Sequence, residues 1–404
     1  MNLRLNSEFG TLKAVLMHRP GKEIDRLTPY NKEYLLFEDV PYLEALQKEH
    51  DFFSDLIKQT TGAQVYQLRE LLIKVISDEE ILLSLMRESL RKSGLIHLAE
   101  DILERYSTAE CATVLTAGIK IHELKKKIPH LKNGELMDFA FAISPCPNLY
   151  FQRDPMALTP SGIIFSSMKM EGRQREADLV RTIFENHPEF KDFVNRLYPV
   201  LGHENPPSIE GGDVIVLSHK AVAIGNSERT DEKAIYHSAK AMLAEGSVER
   251  VYEVHLPKKR NYMHLDTVFT VIDENLVLTY PDALNAVLQT SLYTLKEIKD
   301  DKIHIKREVL KESLLTILER EIPHLEILHT ADGNPYYSMR EQWFDGANVF
   351  AIGARRVISY NRNIHTNRAL RQMGVEVLEI PSSELSRGLG GPRCMTMPLS
   401  RAKV

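Results

Sequence analysis

The chain is poor in cysteine: its 404 residues contain only Cys111, Cys146 and Cys394, which lie far apart. Three scattered cysteines exclude a disulfide framework and give no pair with the spacing of a zinc site. Reduced thiols of this kind are typical of cytosolic proteins. Because the N-terminus also lacks the apolar stretch of a signal peptide, we expect a cytoplasmic protein.

Long apolar runs and basic clusters are also missing. No stretch approaches the roughly 20 apolar residues that a membrane-spanning helix needs, so we expect no membrane partner. With a net charge of -5 and one short basic run, Lys125–Lys127, the chain lacks the basic stripe typical of nucleic-acid-binding proteins. Its hydrophobic share of 43% and charged share of 26% are typical of a soluble protein with a well-formed core.

One pattern recurs along most of the chain: strand, short turn, strand, amphipathic helix, strand. Its clearest copy begins at Asp213, and further copies begin near Asp154, Thr267 and Asn348. A weaker copy starts at Leu12 in the N-terminal segment. Units of this kind bury their hydrophobic faces against neighbours, and five of them can close into a ring. We therefore predict an α/β protein built from five ββαβ units.

The segment 71–145 departs from this pattern, because its periodicity is almost purely helical. Ser77 and Glu80 form a predicted capping box at the start of its first helix. Nothing in the segment indicates catalytic chemistry. We predict an all-helical insertion over residues 71–145, within an α/β domain that comprises residues 1–70 and 146–404.

Cys394 follows a Gly-Gly-Pro turn at Gly390–Pro392. Such a cysteine is either an inert core residue or a nucleophile, because free cysteine is among the most buried residue types. Positive neighbours lower the pKa of a thiol and increase its thiolate fraction. Arg393 and Arg387 therefore favour the nucleophile, and no metal motif competes for the thiol.

His264 lies two residues before Asp266, just ahead of an alternating strand. In an extended segment, residues two apart point to the same face. A histidine and a carboxylate aimed at one pocket suit acid–base catalysis near neutral pH. The alternative is an ordinary polar pair at the end of a strand, and the sequence leaves both interpretations open.

Four carboxylates, Asp154, Glu210, Asp213 and Asp266, stand at or just before the first strand of a unit. Equivalent positions of a pseudosymmetric ring converge on its axis, so we expect one shared central site. Buried, unpaired carboxylates are unstable, and a bound cation relieves that cost. A guanidinium, with five donors in a planar fork, matches two carboxylates. The alternative is that these residues belong to ordinary acidic turns.

Four segments resemble the arginine deiminase family, which belongs to the guanidino-group-modifying or pentein superfamily. They are Asn148–Asp154, Glu210–Asp213, His264–Asp266 and Gly391–Pro398, and they occur in that family's order over most of the chain. The helical insertion also resembles one that distinguishes these enzymes from smaller penteins. The resemblance implies a five-bladed pseudosymmetric α/β-propeller, the pentein fold, with no metal or organic cofactor, and a homodimer or homotetramer.

The resemblance implies hydrolysis of L-arginine to L-citrulline and ammonia. In that reaction Cys394 attacks the guanidinium carbon, and His264 protonates the departing ammonia, which leaves a covalent S-alkylthiouronium. His264 then deprotonates the water that hydrolyses this intermediate. Asp154 and Asp266 hold the guanidinium nitrogens, while Glu210 orients His264.

The resemblance also implies residues for the amino-acid end of the substrate. Arg173 and Arg229 match the positions that bind the α-carboxylate. Asn148 and Phe151 line that end of the pocket, and Asp213 is counted with the substrate-binding residues. For the two arginines the alternative interpretation is a solvated side chain, because arginine is mostly exposed.

Three positions depart from the family pattern. Gln152 stands where many members carry threonine, Leu389 stands where some carry arginine, and Thr396 replaces a common serine. None of these departures removes a catalytic group. They leave the pH optimum and the substrate affinity open.

Other functions share parts of this pattern. An amidinotransferase passes the intermediate to an amine, and an agmatine deiminase acts on a substrate without the α-carboxylate that Arg173 and Arg229 favour. A non-catalytic pentein that serves as a binding scaffold has no need of the full set of Cys394, His264 and carboxylates. A papain-type protease fits least, because carboxylates disfavour an acyl oxyanion.

Overall fold

A computed structural model describes residues 3–128, 131, 140–199, 205–284, 289–300 and 302–404, which form a mixed α/β structure. Part of the predicted helical insertion, residues 129–130 and 132–139, lies outside these ranges. No helix within them is long and apolar enough to cross a membrane. The helices are α1 (Leu43–Thr61), α2 (Leu68–Val75), α3 (Glu79–Arg91), α4 (Ala99–Arg105), α5 (Thr108–Ala117), α6 (Ile121–Lys127), α7 (Gln174–Asn186), α8 (Glu232–Glu245), α9 (Pro281–Leu284), α10 (Leu314–Glu321), α11 (Pro335–Gln342) and α12 (Ile364–Gln372).

Over the described residues, the strands form five sheets of three or more strands and one two-stranded sheet. Each of the five larger sheets contains at least one antiparallel pair and one parallel pair, as a ββαβ unit requires. The strands are β1 (Leu12–Met17), β2 (Gln64–Gln67), β3 (Ile119–Lys120), β4 (Phe141–Ile143), β5 (Met156–Leu158), β6 (Ile163–Phe165), β7 (Arg196–Tyr198), β8 (Val214–Ser218), β9 (Ala221–Asn226), β10 (Arg250–His255), β11 (Phe269–Asp273), β12 (Leu276–Thr279), β13 (Thr290–Lys299), β14 (Lys302–Leu310), β15 (Glu326–His329), β16 (Phe350–Gly353), β17 (Arg356–Tyr360), β18 (Glu376–Ile380) and β19 (Met397–Arg401).

The clearest sequence repeat folds as its pattern predicts. Strands β8 and β9 form an antiparallel hairpin, and β10 pairs with β9 in parallel. Every residue of β9 is buried, as is typical of a strand covered on both faces. Parallel strands require a crossover connection, which α8 supplies. Helix α8 ends at Gly246, whose φ of 93° lies in the left-handed region that glycine adopts readily.

The weak N-terminal repeat is completed from the other end of the chain. Strand β19 pairs antiparallel with β1, and β1 pairs in parallel with β2 after the crossover helix α1. The register places Leu16 opposite Met397. Cys394 therefore lies three residues before the first strand of its unit. The sequence pattern could not supply this strand, because the pairing joins residues almost 400 positions apart.

A long hairpin, β13 and β14, was not anticipated from the sequence pattern. It follows β12 in the chain, yet it pairs with β10 and extends the sheet of β8 to β10 to five strands. The strands β11, β12 and β15 form their own sheet, with β15 parallel to β12. An insertion between β12 and α10 thus interrupts one unit and widens its neighbour.

The helical segment from α2 to α6 shares a hydrophobic core with the sheets. Leu72 and Leu115 belong to the same buried cluster as Leu16 of β1 and Phe165 of β6. The segment includes two helices that the pattern did not identify, α2 and α5. Helix α5 begins with a capping box formed by Ser107 and Glu110.

The capping box predicted at Ser77 and Glu80 is wrong by one residue. Asp78 is the N-cap of α3, and its carboxylate accepts hydrogen bonds from the N–H groups of Glu80 and Ile81. The hydroxyl of Ser77 instead donates to the carbonyl of Lys74, at the end of the preceding helix. Ser77 and Asp78 can both cap a helix. Because the hydroxyl of Ser77 is bonded to the end of α2, Asp78 is the N-cap of α3.

Candidate active site

Three short 3-10 turns bring the predicted polar residues together. The turns Pro147–Tyr150, Gly211–Asp213 and Leu265–Thr267 come shortly before β5, β8 and β11, the first strands of their units. His264 precedes the last of these turns in extended conformation. Its Nε2 lies 2.7 Å from Glu210 Oε2, and its Nδ1 lies 3.6 Å from Asp154 Oδ1.

The two glycines of Gly211–Gly212 permit this approach. A Cβ atom on Gly212 would lie 2.6 Å from Nδ1 of His264 and 2.9 Å from Oδ1 of Asp154. Real Cβ atoms do not come so close, so any side chain at Gly212 pushes the histidine and the aspartate apart. The glycine pair reflects a close approach of side chains as well as the sharp turn that the sequence suggested.

His264 is buried among carboxylates that keep it protonated. Burial by itself lowers the pKa of a histidine, but Asp154, Glu210 and Asp213 outweigh that effect and raise the pKa of His264 to about 9. Burial also opposes the charged form of Glu210, which by itself raises the pKa of this carboxyl. The hydrogen bond from His264 and the charge of Arg229 outweigh burial, and the pKa of Glu210 falls to about 2. At neutral pH the pair is an imidazolium beside a carboxylate.

Asp154 belongs to a buried network of three ionic groups, which we call the Asp154 network. Arg173 donates from Nη1 to Asp154 Oδ2 at 2.7 Å and from Nε to Glu176 Oε2 at 2.8 Å. Burial raises the pKa of Glu176 to about 7, despite its bond to Arg173. Arg173 is almost fully buried, so its interpretation as a solvated residue is wrong.

Asp266 is held in a similar way by the Asp266 network, which consists of Asp266, Arg393 and Glu8. Arg393 donates from Nη1 to Asp266 Oδ2 at 2.7 Å and from Nη2 to Glu8 Oε1 at 3.0 Å. Burial opposes ionisation of Glu8, but Arg393, Arg153 and Arg401 lower the pKa of this carboxyl. No sequence pattern pointed to Glu8, which is 385 residues from Arg393.

Cys394 is buried, with its Sγ 3.7 Å from Asp266 Oδ2. Burial and the carboxylates of Asp266, Asp154 and Asp345 raise the pKa of this thiol well above its ordinary value, and Arg393 offsets only part of this. Arg393 acts in the direction that the sequence suggested, but the expected net lowering of the pKa was wrong, because Arg393 is paired with two acids. Arg387 forms ion pairs with the exposed Asp39 and the mostly buried Glu384.

The side chains enclose a small cavity of about 20 Å³. That volume accommodates about one water molecule, so its walls have to move before an amino acid enters. Arg229, which is also buried, lies among the walls, and its interpretation as a solvated residue is wrong. The lining residues are Leu36, Asn148, Phe151, Asp154, Arg173, Arg229, Arg260, Met263, His264, Thr267, Gly388, Leu389 and Cys394.

Asp213 is not among the lining residues of this cavity. Its Oδ1 accepts from the N–H of Leu265 at 2.9 Å, and its Oδ2 accepts from the hydroxyls of Ser227 and Thr230, both at 2.6 Å. Burial raises the pKa of Asp213 to about 7, although these hydrogen bonds and His264 act in the other direction. The carboxyl group thus fixes the turn that follows His264.

Three residues at the site, Glu8, Glu176 and Asn348, were not predicted from the sequence. Glu8 and Glu176 become relevant only through arginines that lie elsewhere in the chain, so no local pattern identifies them. Asn348 did carry a signal, because it stands shortly before β16, where the other units carry their polar motifs. Over the described residues, no cluster of three or more histidine, cysteine or acidic side chains could hold a metal ion.

A family model and individual relatives point to the same protein family. A family model described as arginine deiminase matches residues 33–401. The arginine deiminase of Listeria welshimeri is 38% identical over 409 residues, which covers 100% of this chain and 99% of that protein. The arginine deiminase of Oenococcus oeni is 37% identical over 417 residues, with 100% and 98% coverage.

Solved structures share the fold at low sequence identity. The N-terminal domain of ArgZ, an arginine dihydrolase from cyanobacteria, is 14% identical with a TM-score of 0.55, and the match covers 96% of this chain and 97% of that one. A mutant of DDAH from Pseudomonas aeruginosa complexed with citrulline is 16% identical with a TM-score of 0.53, over 96% and 99%.

Proposed function

The chain belongs to the arginine deiminase family, and from this premise we propose how its side chains convert L-arginine into L-citrulline and ammonia. One observation carries the proposal. Oδ1 of Asp154 and Oδ1 of Asp266 are buried and have no hydrogen-bond partner among the described residues, while each Oδ2 is held by an arginine. Oδ1 of Asp154 lies 3.6 Å from Nδ1 of His264, which is beyond hydrogen-bond distance. Two fixed carboxylate oxygens that accept no hydrogen bond, beside a thiol, are suited to the N–H donors of a planar guanidinium.

Binding of the guanidinium changes the charge balance around Cys394. Burial and the neighbouring carboxylates raise the pKa of the Cys394 thiol and so favour its neutral form. A cation placed between Asp154 and Asp266 offsets their charge and lowers the pKa of the thiol. We propose that the nucleophilic thiolate therefore forms when substrate is bound.

The chemical steps follow from these charge states. The Cys394 sulfur attacks the guanidinium carbon and forms a tetrahedral adduct. His264, protonated because its pKa is about 9, gives its proton to the departing nitrogen, and the C–N bond breaks to release ammonia and an S-alkylthiouronium. Neutral His264 then takes a proton from water, and the hydroxide adds to the same carbon. As the C–S bond breaks, the proton of the new hydroxyl passes to the departing sulfur, which releases citrulline and the neutral Cys394 thiol.

We assign the α-carboxylate of the substrate to the two buried arginines of the cavity. Nε and Nη1 of Arg229 and Nη2 of Arg173 form no hydrogen bond among the described residues. Arg229 does lie within ion-pair distance of two acids, with Nε 3.4 Å from Glu228 Oε1 and Nη1 3.9 Å from Glu210 Oε2. These donors remain after the bonds of Arg173 to its two acids. Free arginine therefore fits better than agmatine, which has no carboxylate to pair with them.

The remaining predicted site residues receive positioning roles in this proposal. The amide of Asn148 donates to the carbonyl of Leu35 at 2.7 Å and so holds a wall of the cavity. Phe151 packs beneath Gly388 and Gly390, where a Cβ on either glycine would meet its ring. We assign Asp213 to the support of the His264 turn and no longer to substrate binding.

We further propose that the five larger sheets close into a five-bladed α/β-propeller over residues 1–70 and 146–404, with residues 71–145 as a helical insertion. The supporting observation is that buried clusters connect the central strands of the sheets in a cycle. One cluster joins β1 to β6, a second β6 to β9, a third β9 to β12 and β17, and a fourth β17 to β1.

The test is citrulline and ammonia release from L-arginine by the wild type and by Cys394→Ser, with agmatine as a second substrate. We expect citrulline from the wild type and none from the variant. Turnover of agmatine but not of arginine would contradict the roles of Arg173 and Arg229. Ornithine that appears only when glycine is added would identify an amidinotransferase. Turnover by Cys394→Ser at the wild-type rate would exclude Cys394 as the nucleophile.

A further inference from the structure

Asn348 links the two halves of the site through one buried amide. Its Oδ1 accepts from the backbone N–H of Cys394 at 3.0 Å, and its Nδ2 donates to the backbone carbonyl of Asp266 at 3.0 Å. The side chain is fully buried. The orientation of the amide is determined by these partners, since an N–H requires an acceptor and a carbonyl requires a donor.

The backbone of Asn348 closes the connection. Its carbonyl accepts from the N–H of Arg393 at 3.3 Å, and the guanidinium of Arg393 in turn holds the carboxylate of Asp266. Asn348, Asp266 and Arg393 therefore form a closed ring of hydrogen bonds around Cys394. The sulfur lies 3.7 Å from the carboxylate that this ring holds.

We propose that Asn348 is a positioning residue that aligns the Cys394 sulfur with the guanidinium held by Asp266; this inference rests on the proposed function. Asparagine is the residue that presents an acceptor and a donor at this distance from the backbone. Aspartate lacks the donor, alanine lacks both groups, and glutamine is longer by one methylene. Because reacting atoms need to be about 3–3.5 Å apart and aligned, a displacement of about 1 Å costs roughly 100-fold in rate.

Gly391 lies against the backbone carbonyl and the side-chain amide of Asn348. A Cβ atom at Gly391 would lie 2.6 Å from the carbonyl oxygen of Asn348 and 2.7 Å from its Oδ1. Gly391→Ala therefore displaces the amide without removing a hydrogen-bonding group. This gives a second route to the same effect that does not depend on the folding of an Asn348 variant.

The experiment compares Asn348→Ala, Asn348→Asp and Gly391→Ala with Asn367→Ala as the matched control. Asn367 is also fully buried and its Nδ2 donates to a backbone carbonyl, that of Tyr360, at 3.0 Å. For each folded variant, kcat and KM for L-arginine are measured with the rate of Cys394 alkylation by iodoacetamide against pH. Alkylation needs a thiolate but no alignment with a guanidinium, so it separates positioning from loss of the nucleophile.

For Asn348→Ala and Gly391→Ala we expect kcat to fall about 100-fold, with a smaller change in KM and an unchanged pH midpoint of alkylation. Asn348→Asp adds a negative charge beside the thiol, so its midpoint moves to higher pH. Asn367→Ala keeps the wild-type kcat. The inference is overturned when both neutral variants retain kcat within about 3-fold, or when Asn367→Ala loses as much. If the wild type releases no citrulline from L-arginine, that result contradicts both the proposed function and this inference.

Discussion

The two ionic networks of the site have the same arrangement and opposite charge behaviour. In each, a buried arginine bridges an aspartate of the site and a second, outer acid. The outer acid of the Asp266 network, Glu8, has a lowered pKa. The outer acid of the Asp154 network, Glu176, has a pKa raised to about 7. Burial opposes ionisation of both, so burial alone does not explain the difference.

The neighbours beyond the bridging arginine decide the outcome. Glu8 also faces Arg153 and Arg401, whose positive charges favour its ionised form. Glu176 faces Asp154 and Glu210, whose negative charges disfavour it. An identical local motif therefore provides a permanent charge on one side of the site and a group that titrates near neutral pH on the other.

We expect the largest effect on stability when each bridging arginine is replaced in turn. We expect Arg393→Met to destabilise the protein by about 3–5 kcal/mol at pH 7, because Asp266 loses its buried ion-pair partner and ionised Glu8 keeps only Arg153 and Arg401. Arg173→Met should cost clearly less, because Glu176 can take up a proton. Urea unfolding of both variants at pH 7 measures the two free energies. Equal losses would show that the outer acids do not differ.

The second test concerns His264, whose raised pKa depends on the carboxylates of its side of the site. Above pH 9 the imidazolium loses its proton, so kcat of the wild type should decline there. Glu210→Gln removes a hydrogen-bonded negative charge. We expect kcat to fall about 100-fold and the alkaline limb of its pH profile to move to lower pH. Glu232→Gln, at the exposed start of α8, is the control; an unmoved limb would contradict the assignment.

The third test follows the stability of Glu176→Gln against pH. The folded pKa of Glu176 is about 7 and its ordinary value is 4.5, so its protonated form stabilises the fold below pH 4.5 and that contribution is lost as pH rises to 7. Relative to the wild type, Glu176→Gln should gain about 1–3 kcal/mol between pH 5 and pH 8.

For Glu8→Gln, the stability difference from the wild type should depend on pH with the opposite sign. The pKa of Glu8 is lowered in the folded state, so its contribution is present above its ordinary pKa and is lost as pH falls through the folded value. Relative to the wild type, this variant should therefore be least stable at neutral pH. Parallel pH profiles for the two variants would contradict the comparison.

The smallest effect is expected outside both networks, at Arg387. Arg387 and its partner Asp39 are solvent-accessible, while its second partner, Glu384, is mostly buried. Solvent-accessible ion pairs contribute about 0–1 kcal/mol. Arg387→Gln should therefore change stability by less than about 1 kcal/mol and leave the pH midpoint of Cys394 alkylation unchanged. A midpoint shift would restore the role that the sequence suggested for this arginine.

Much of the fold and the family assignment could be predicted from the sequence. The mixed α/β class is confirmed, and the order within the unit from β8 to β10 is as predicted. The membership of the arginine deiminase family rested on four motifs and is confirmed. The roles of Cys394 and His264 stay predictions. The strand β19, the hairpin of β13 and β14 and the shift from Ser77 to Asp78 were missed, because pairing partners and competing caps lie outside any local pattern.

The sequence by itself determined where the polar motifs stand, because strand periodicity and turn residues are local properties that a short window records. Only the tertiary structure decided what those residues do. Asp213 became a support for the His264 turn, Arg393 became the partner of two acids, and Cys394 became a thiol with a raised pKa. The physical reason is that burial and Coulomb interactions depend on distances in space. Those distances join residues such as Glu8 and Arg393, which are nearly 390 positions apart.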